Sequence, residues 1–183
     1  MSIETEVMPL VKRDKAEHGK RKKLERRNRM TKEVLIHIKT QQILRERAAD
    51  EEEDVIELIV AGQYYFRNGM HYLLYEETME GFTESTQNLV KMKANFMEVR
   101  KKGTVNVTMT FEKGKKNTTI YKTPFGMFEM EFDTQRVSFH GLERSMEICA
   151  EYTLGMQGNP IADCKMQMRV TAQDDAEETT FFR

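Results

Sequence analysis

Long apolar runs are missing from this chain of 183 residues. No window approaches the roughly 18 consecutive apolar residues that a membrane-spanning helix requires. The opening MSIETEVMPLVKRDK meets charge before a continuous leader core can form. A membrane helix and a cleaved leader are therefore not expected, and a cytoplasmic location is. Cysteine is scarce: Cys149 and Cys164 are the two present, without the Cys-x-x-Cys spacing of thiolate metal sites and redox centres. The four histidines, His18, His37, His71 and His140, are scattered, with no pair at helical ligand spacing. A Walker A loop, a G-x-S-x-G elbow and a G-x-G-x-x-G fingerprint are all lacking. Nothing marks metal, nucleotide or nucleophilic chemistry, so we assign no catalytic residue, no metal and no cofactor, and expect no enzymatic activity.

The formal net charge of -1 hides an asymmetry. Ten basic and three acidic residues lie between Val11 and Arg29, against nineteen and twenty-five from Met30 onward. A cationic arm thus precedes an acidic body. The arm has one leucine between Lys12 and Arg29 and too little apolar surface to offset the entropy of ordering it. The expected organisation is a basic, mostly disordered or loosely helical arm over residues 1–30, one domain over 31–173, and an acidic tail over 174–183. Lys20, Arg21, Lys22, Lys23, Arg26, Arg27 and Arg29 form a candidate phosphate-binding cluster for weak RNA contact. No aromatic residue lies among them, so base stacking is not available and sequence preference would be poor.

What the body has is alternation with period two, the mark of half-buried strands. Val34, Ile36 and Ile38 alternate with Leu35, His37 and Lys39; an apolar run follows from Val55. Asn68-Gly69 tolerates the positive φ angles of a two-residue hairpin turn, so MHYLLYEET returns as the next strand. Strands are also expected over 87–95, 96–101, 105–111 and 117–122. Val105, Val107, Met109 and Phe111 share one face. Thr123-Pro124-Phe125-Gly126 reads as a tight corner, because proline cannot donate to a ladder and glycine frees the backbone two residues later. Beyond it Phe128, Met130 and Phe132 alternate with Glu129, Glu131 and Asp133. Met146 to Leu154 and Ala162 to Val170 repeat the pattern. About ten strands with short loops predict an all-β, up-and-down antiparallel barrel or sandwich, and closure into a barrel removes exposed edges. For the last two apolar rows to coincide, even-numbered residues must oppose even-numbered ones. Cys149 then points out, Cys164 points in, and both are free thiols.

IELIVAGQYYFRNGMHYLLYEET, Arg100-Lys101-Lys102-Gly103 and YKTPFGMFEMEFDT resemble a bacterial family of small proteins with a lipocalin-like, calycin-type barrel. The resemblance spans roughly 31–172 and rests on Gly62, Tyr75, Glu76, Arg100, Gly103, Tyr121, Thr123, Pro124, Gly126 and Thr134. It implies a barrel of about eight to ten strands. The family has no established activity, so the resemblance brings no catalytic residues.

Three functions are compatible with this reading. A barrel interior lined by Met92, Met109, Met130, Met166 and Met168 would hold a small apolar or amphipathic ligand, or those methionines simply fill the core. Tyr75, Glu76, Arg100 and Tyr121 are the candidate polar anchors. Glu76 shares a face with Tyr72 and Leu74 and, if buried there, would need Arg100 as partner. The carboxylates of Glu129 and Glu131 lie on the expected wet face and read as solvated charge. The arm offers the RNA contact, and the outer barrel face offers a surface for another protein. Ligand identity and oligomeric state are not encoded in any motif.

Overall fold

A computed structural model of the chain describes residues 32–46, 54–141 and 145–173. These form ten strands: β1 (Lys32–Leu44), β2 (Asp54–Arg67), β3 (Met70–Thr78), β4 (Ser85–Lys93), β5 (Phe96–Gly103), β6 (Val107–Glu112), β7 (Lys115–Thr123), β8 (Gly126–Gly141), β9 (Ser145–Met156) and β10 (Asn159–Ala172). All pairings are antiparallel, in the order β6-β5-β4-β3-β2-β1-β10-β9-β8-β7. The first and last strands pair along Val34–Leu44 and Ala162–Ala172. The seam of the nearly closed barrel therefore falls between β6 and β7, where Asn106 and Lys122 exchange backbone hydrogen bonds of 2.9 and 3.0 Å.

Local chemistry sets the corners. Asn68 and Gly69 both adopt positive φ, at 52° and 73°, as the β2–β3 hairpin requires. At the β7–β8 corner the Thr123 hydroxyl accepts from the Phe125 amide at 3.1 Å and donates to the Gly126 carbonyl at 3.2 Å, with Pro124 between them. The expected corner is formed by these side-chain bonds. Asn95, placed at the end of a strand by its pattern, instead turns the chain at φ 61°.

The inner face carries the predicted rows. Val107, Met109 and Phe111 on β6, Val90 and Met92 on β4, and Ile148, Ala150 and Tyr152 on β9 are buried. Phe111, Phe132 and Tyr152 pack together with ring centroids 4.8 to 5.7 Å apart. On β8 the inward row shifts from Phe132 and Thr134 to Val137, because a bulge between Thr134 and Arg136 inserts one residue. Ala162 opposes Leu154 and Cys164 opposes Tyr152, the even-to-even register. Cys164 is buried, Cys149 is half-buried, and both are free.

β2 and β3 do not pair throughout. Their ladder ends at Gly62 opposite Tyr75. From there β2 continues back to Asp54 on β1, and β3 continues to Thr78 on β4. A Cβ at Gly62 would stand 2.6 Å from both the Leu74 carbonyl oxygen and Ile36 Cδ1, so the three strands close on one another there only around glycine. Beyond the parting, inward-row Ile56 is 57% exposed.

Candidate functional site

On β3 the buried residues are Leu73 and Tyr75, which places Glu77 on the same inner row. On β5 Met97 and Val99 are buried, which places Lys101 inward in the same way. Asn88 on β4 lies between them, opposite Tyr75 on one side and Lys101 on the other. The Lys101 ammonium and Glu77 carboxylate form an ion pair, with about a fifth of each side chain exposed. Tyr75 is held well above the usual phenol range, first by burial and then by the Glu77 charge. Tyr121, on the inner row of β7, is raised by the same two causes in the same order. Three strands thus bring an ammonium, a carboxylate and two neutral hydroxyls to one inner wall.

Asn88 is 2% exposed. Its amide nitrogen donates to the Thr86 carbonyl at 3.1 Å, while its side-chain oxygen is buried with no hydrogen-bond partner among the described residues. Burying a carbonyl without a donor costs roughly 1–3 kcal/mol. Thr86 accepts from the Val105 amide at 3.3 Å. Along the inner face stand Ile38, Leu58, Val60, Met130, Leu154 and Met166, all only partly buried. At the other end of the inner row of β3, the Tyr64 hydroxyl and His71 Nδ1 lie 3.0 Å apart. The His71 ring packs 4.5 Å from Phe139 and 4.7 Å from Phe66. Burial lowers the His71 pKa.

Glu76 is not buried, so the condition for pairing it with Arg100 is not met. The face of β3 that carries Tyr72, Leu74 and Glu76 is the outer one, and Glu76 is exposed. Its carboxylate accepts from the Gln87 amide at 3.2 Å, and Arg100 lies 3.5 Å from Glu98 instead. The ion pair that does reach the interior is one residue along on each strand, Glu77 with Lys101. Glu76 and Arg100 line an outward groove of about 660 Å³, together with Ala61, Gly62 and Leu74. Tyr75 and Asn88 also contribute to its lining, so the groove adjoins the inner wall, whereas Tyr121 lies apart from it, on the inner face. Asn68, Gly69, Thr123, Pro124 and Gly126 occupy the two turns described above. The basic cluster Lys20–Arg29 and the acidic tail from 174 lie outside the described residues. Sequence reasoning missed Glu77, Lys101 and Asn88. Continuing the Met97–Val99 alternation by one step would have found Lys101.

Among the described residues no group of three or more His, Cys, Asp or Glu side chains is placed to hold a metal ion. No helix among them is long and apolar enough to cross a membrane. Comparison with curated proteins gives no match. The crystal structure of the ywiB protein from Bacillus subtilis is similar, with a TM-score of 0.66 and 21% identity over 78% of this chain and 92% of that one. At that identity the likeness carries the fold. The model of a domain of unknown function, DUF1934, matches residues 36–168. Spanning all or part of each of the ten strands, that match identifies the chain as a member of the DUF1934 family.

Proposed function

We propose that the barrel holds a small amphipathic molecule, its apolar part along Ile38, Leu58, Val60, Met130 and Met166 and its polar part against Tyr75, Glu77, Lys101 and Tyr121. The observation that carries this is the inward ion pair with an undonated Asn88 oxygen beside it. An ion pair inside a barrel is weak as a stabilising device, because desolvation offsets most of the attraction and a well-packed apolar pair serves as well or better. A polar wall next to half-open apolar surface is what an amphipathic ligand needs. The parting of β2 from β3 leaves that apolar face open to one side.

The test uses N-phenyl-1-naphthylamine, an uncharged dye that brightens in apolar surroundings, with Leu58→Trp and Met166→Trp as variants that fill the inner face. Saturable brightening in the native chain, lost in both variants, supports the reading. Brightening unchanged by both, or absent throughout, overturns it.

A further inference from the structure

We propose that the polar part of the bound molecule is uncharged, an amide or hydroxyl that both donates and accepts hydrogen bonds. This rests on the reading that the barrel holds an amphipathic molecule. Glu77 and Lys101 already neutralise one another. The other polar groups on that wall are the Tyr75, Tyr121 and Thr86 hydroxyls and the Asn88 amide. Burial and the Glu77 charge both favour the neutral phenol at each tyrosine, so neither supplies a counter-ion. Among the described residues, the elements facing the pair offer no further inward charge apart from the exposed Asp54 at the start of β2. The inner row of β2 runs Ile56, Leu58, Val60 and Gly62 from the exposed Asp54 at the strand's start, and that of β8 is Phe128, Met130 and Phe132. β7 presents Asn117, Thr119 and Tyr121.

An anionic head would compete with Glu77 for the single ammonium, and a cationic head would compete with Lys101 for the single carboxylate. Either leaves one partly buried charge without a partner, and an ion transferred from water to such a place is penalised. A neutral head meets no such penalty. It finds hydroxyls to accept from, and the buried Asn88 oxygen beside them still lacks a donor. A hydrogen-bonding site rejects analogues that leave its buried polar groups unpaired, so a plain alkyl chain should also bind less well.

A matched octyl series separates the possibilities at neutral pH: octanamide, octanoate, octylammonium and octane, each displacing N-phenyl-1-naphthylamine. We expect octanamide to bind at least about tenfold more tightly than either ion, equivalent to about 1.4 kcal/mol. Lys101→Met should turn the preference towards octylammonium, and Glu77→Gln towards octanoate. Equal or tighter binding of an ion or of octane by the native chain overturns the inference while leaving the ligand-holding reading intact. So does an order of preference unmoved by both substitutions, or binding of the dye with no octyl compound displacing it. Failure of the dye itself to bind removes the reading beneath it. Should a variant fail to fold, the series on the native chain decides alone.

Discussion

Lys101→Met strands the Glu77 carboxylate on the inner wall. For a fully buried pair, removing one partner costs about 3–5 kcal/mol, chiefly through the charge left behind. Each side chain here keeps about a fifth of its surface in solvent. Discounted for that, about 1–3 kcal/mol is expected for Lys101→Met or Glu77→Leu alone. The double substitution Glu77→Leu/Lys101→Met removes both charges and puts apolar volume in their place, so it should lie within about 1 kcal/mol of the native chain or above it. Urea unfolding of the four proteins, read as a double-mutant cycle, measures the coupling directly. Strictly additive single effects would refute the reasoning, since the two charges would then not compensate one another. A double variant as stable as the native chain but unable to bind an amphipath would show that the pair is kept for the ligand.

Gly62→Ala should cost about 2–4 kcal/mol, because its Cβ meets the Leu74 carbonyl oxygen and Ile36 at 2.6 Å. Gly69→Ala, in open space at φ 73°, should cost only about 1 kcal/mol, and equal losses in urea melts would contradict the close approach. His71 titrates below its ordinary 6.5 because it is buried. The unfolded chain therefore binds that proton more readily, so the contribution of the neutral ring is present above about pH 6.5 and is lost as pH falls through the lower folded value. Thermal melts should show this slope in the native chain and a shallower one in His71→Phe; identical slopes would exclude His71 as the source. Burial pushes the Cys164 thiol up to about 11 and raises Cys149 less far. Maleimide should accordingly label Cys149 first and Cys164 only after unfolding, without reductant, and an intact mass showing a bridge would disprove the register.

The fold was legible because strand chemistry is local. A period of two in Val105–Phe111, Phe128–Phe132 and the last two strands states both the element and its face, and Asn68-Gly69 states where one pair turns. The free thiols follow from the same parity, since only one register brings Met146–Leu154 and Ala162–Val170 to a common side. The place of the seam was not legible. A meander with ten similar strands gives no local reason for its ends to pair strongly while β6 and β7, among the described residues, share a single backbone bridge. That choice is made by closure of the whole ring, with strand tilt and stagger fixed together.

The site failed to show for a narrower reason. In MHYLLYEET both faces are apolar, with Tyr72 and Leu74 on one and Leu73 and Tyr75 on the other. Alternation within β3 therefore cannot say which way Glu76 and Glu77 point, and the error of one residue sends the carboxylate to the opposite side of the sheet. Its neighbours carry the missing information. Val90 and Met92 on β4, and Met97 and Val99 on β5, are the apolar members of those strands that reach the core. Pairing Leu73 with Val90 and Val90 with Val99 then forces Glu77 and Lys101 inward together. A charged residue on an inward row is the informative departure from pattern, because burial of an ion is not selected by packing. Two such departures of opposite sign, on β3 and β5 with β4 between them, satisfy one another. The single-strand pattern sees each as a flaw, and only the assembled sheet shows that the two compensate one another.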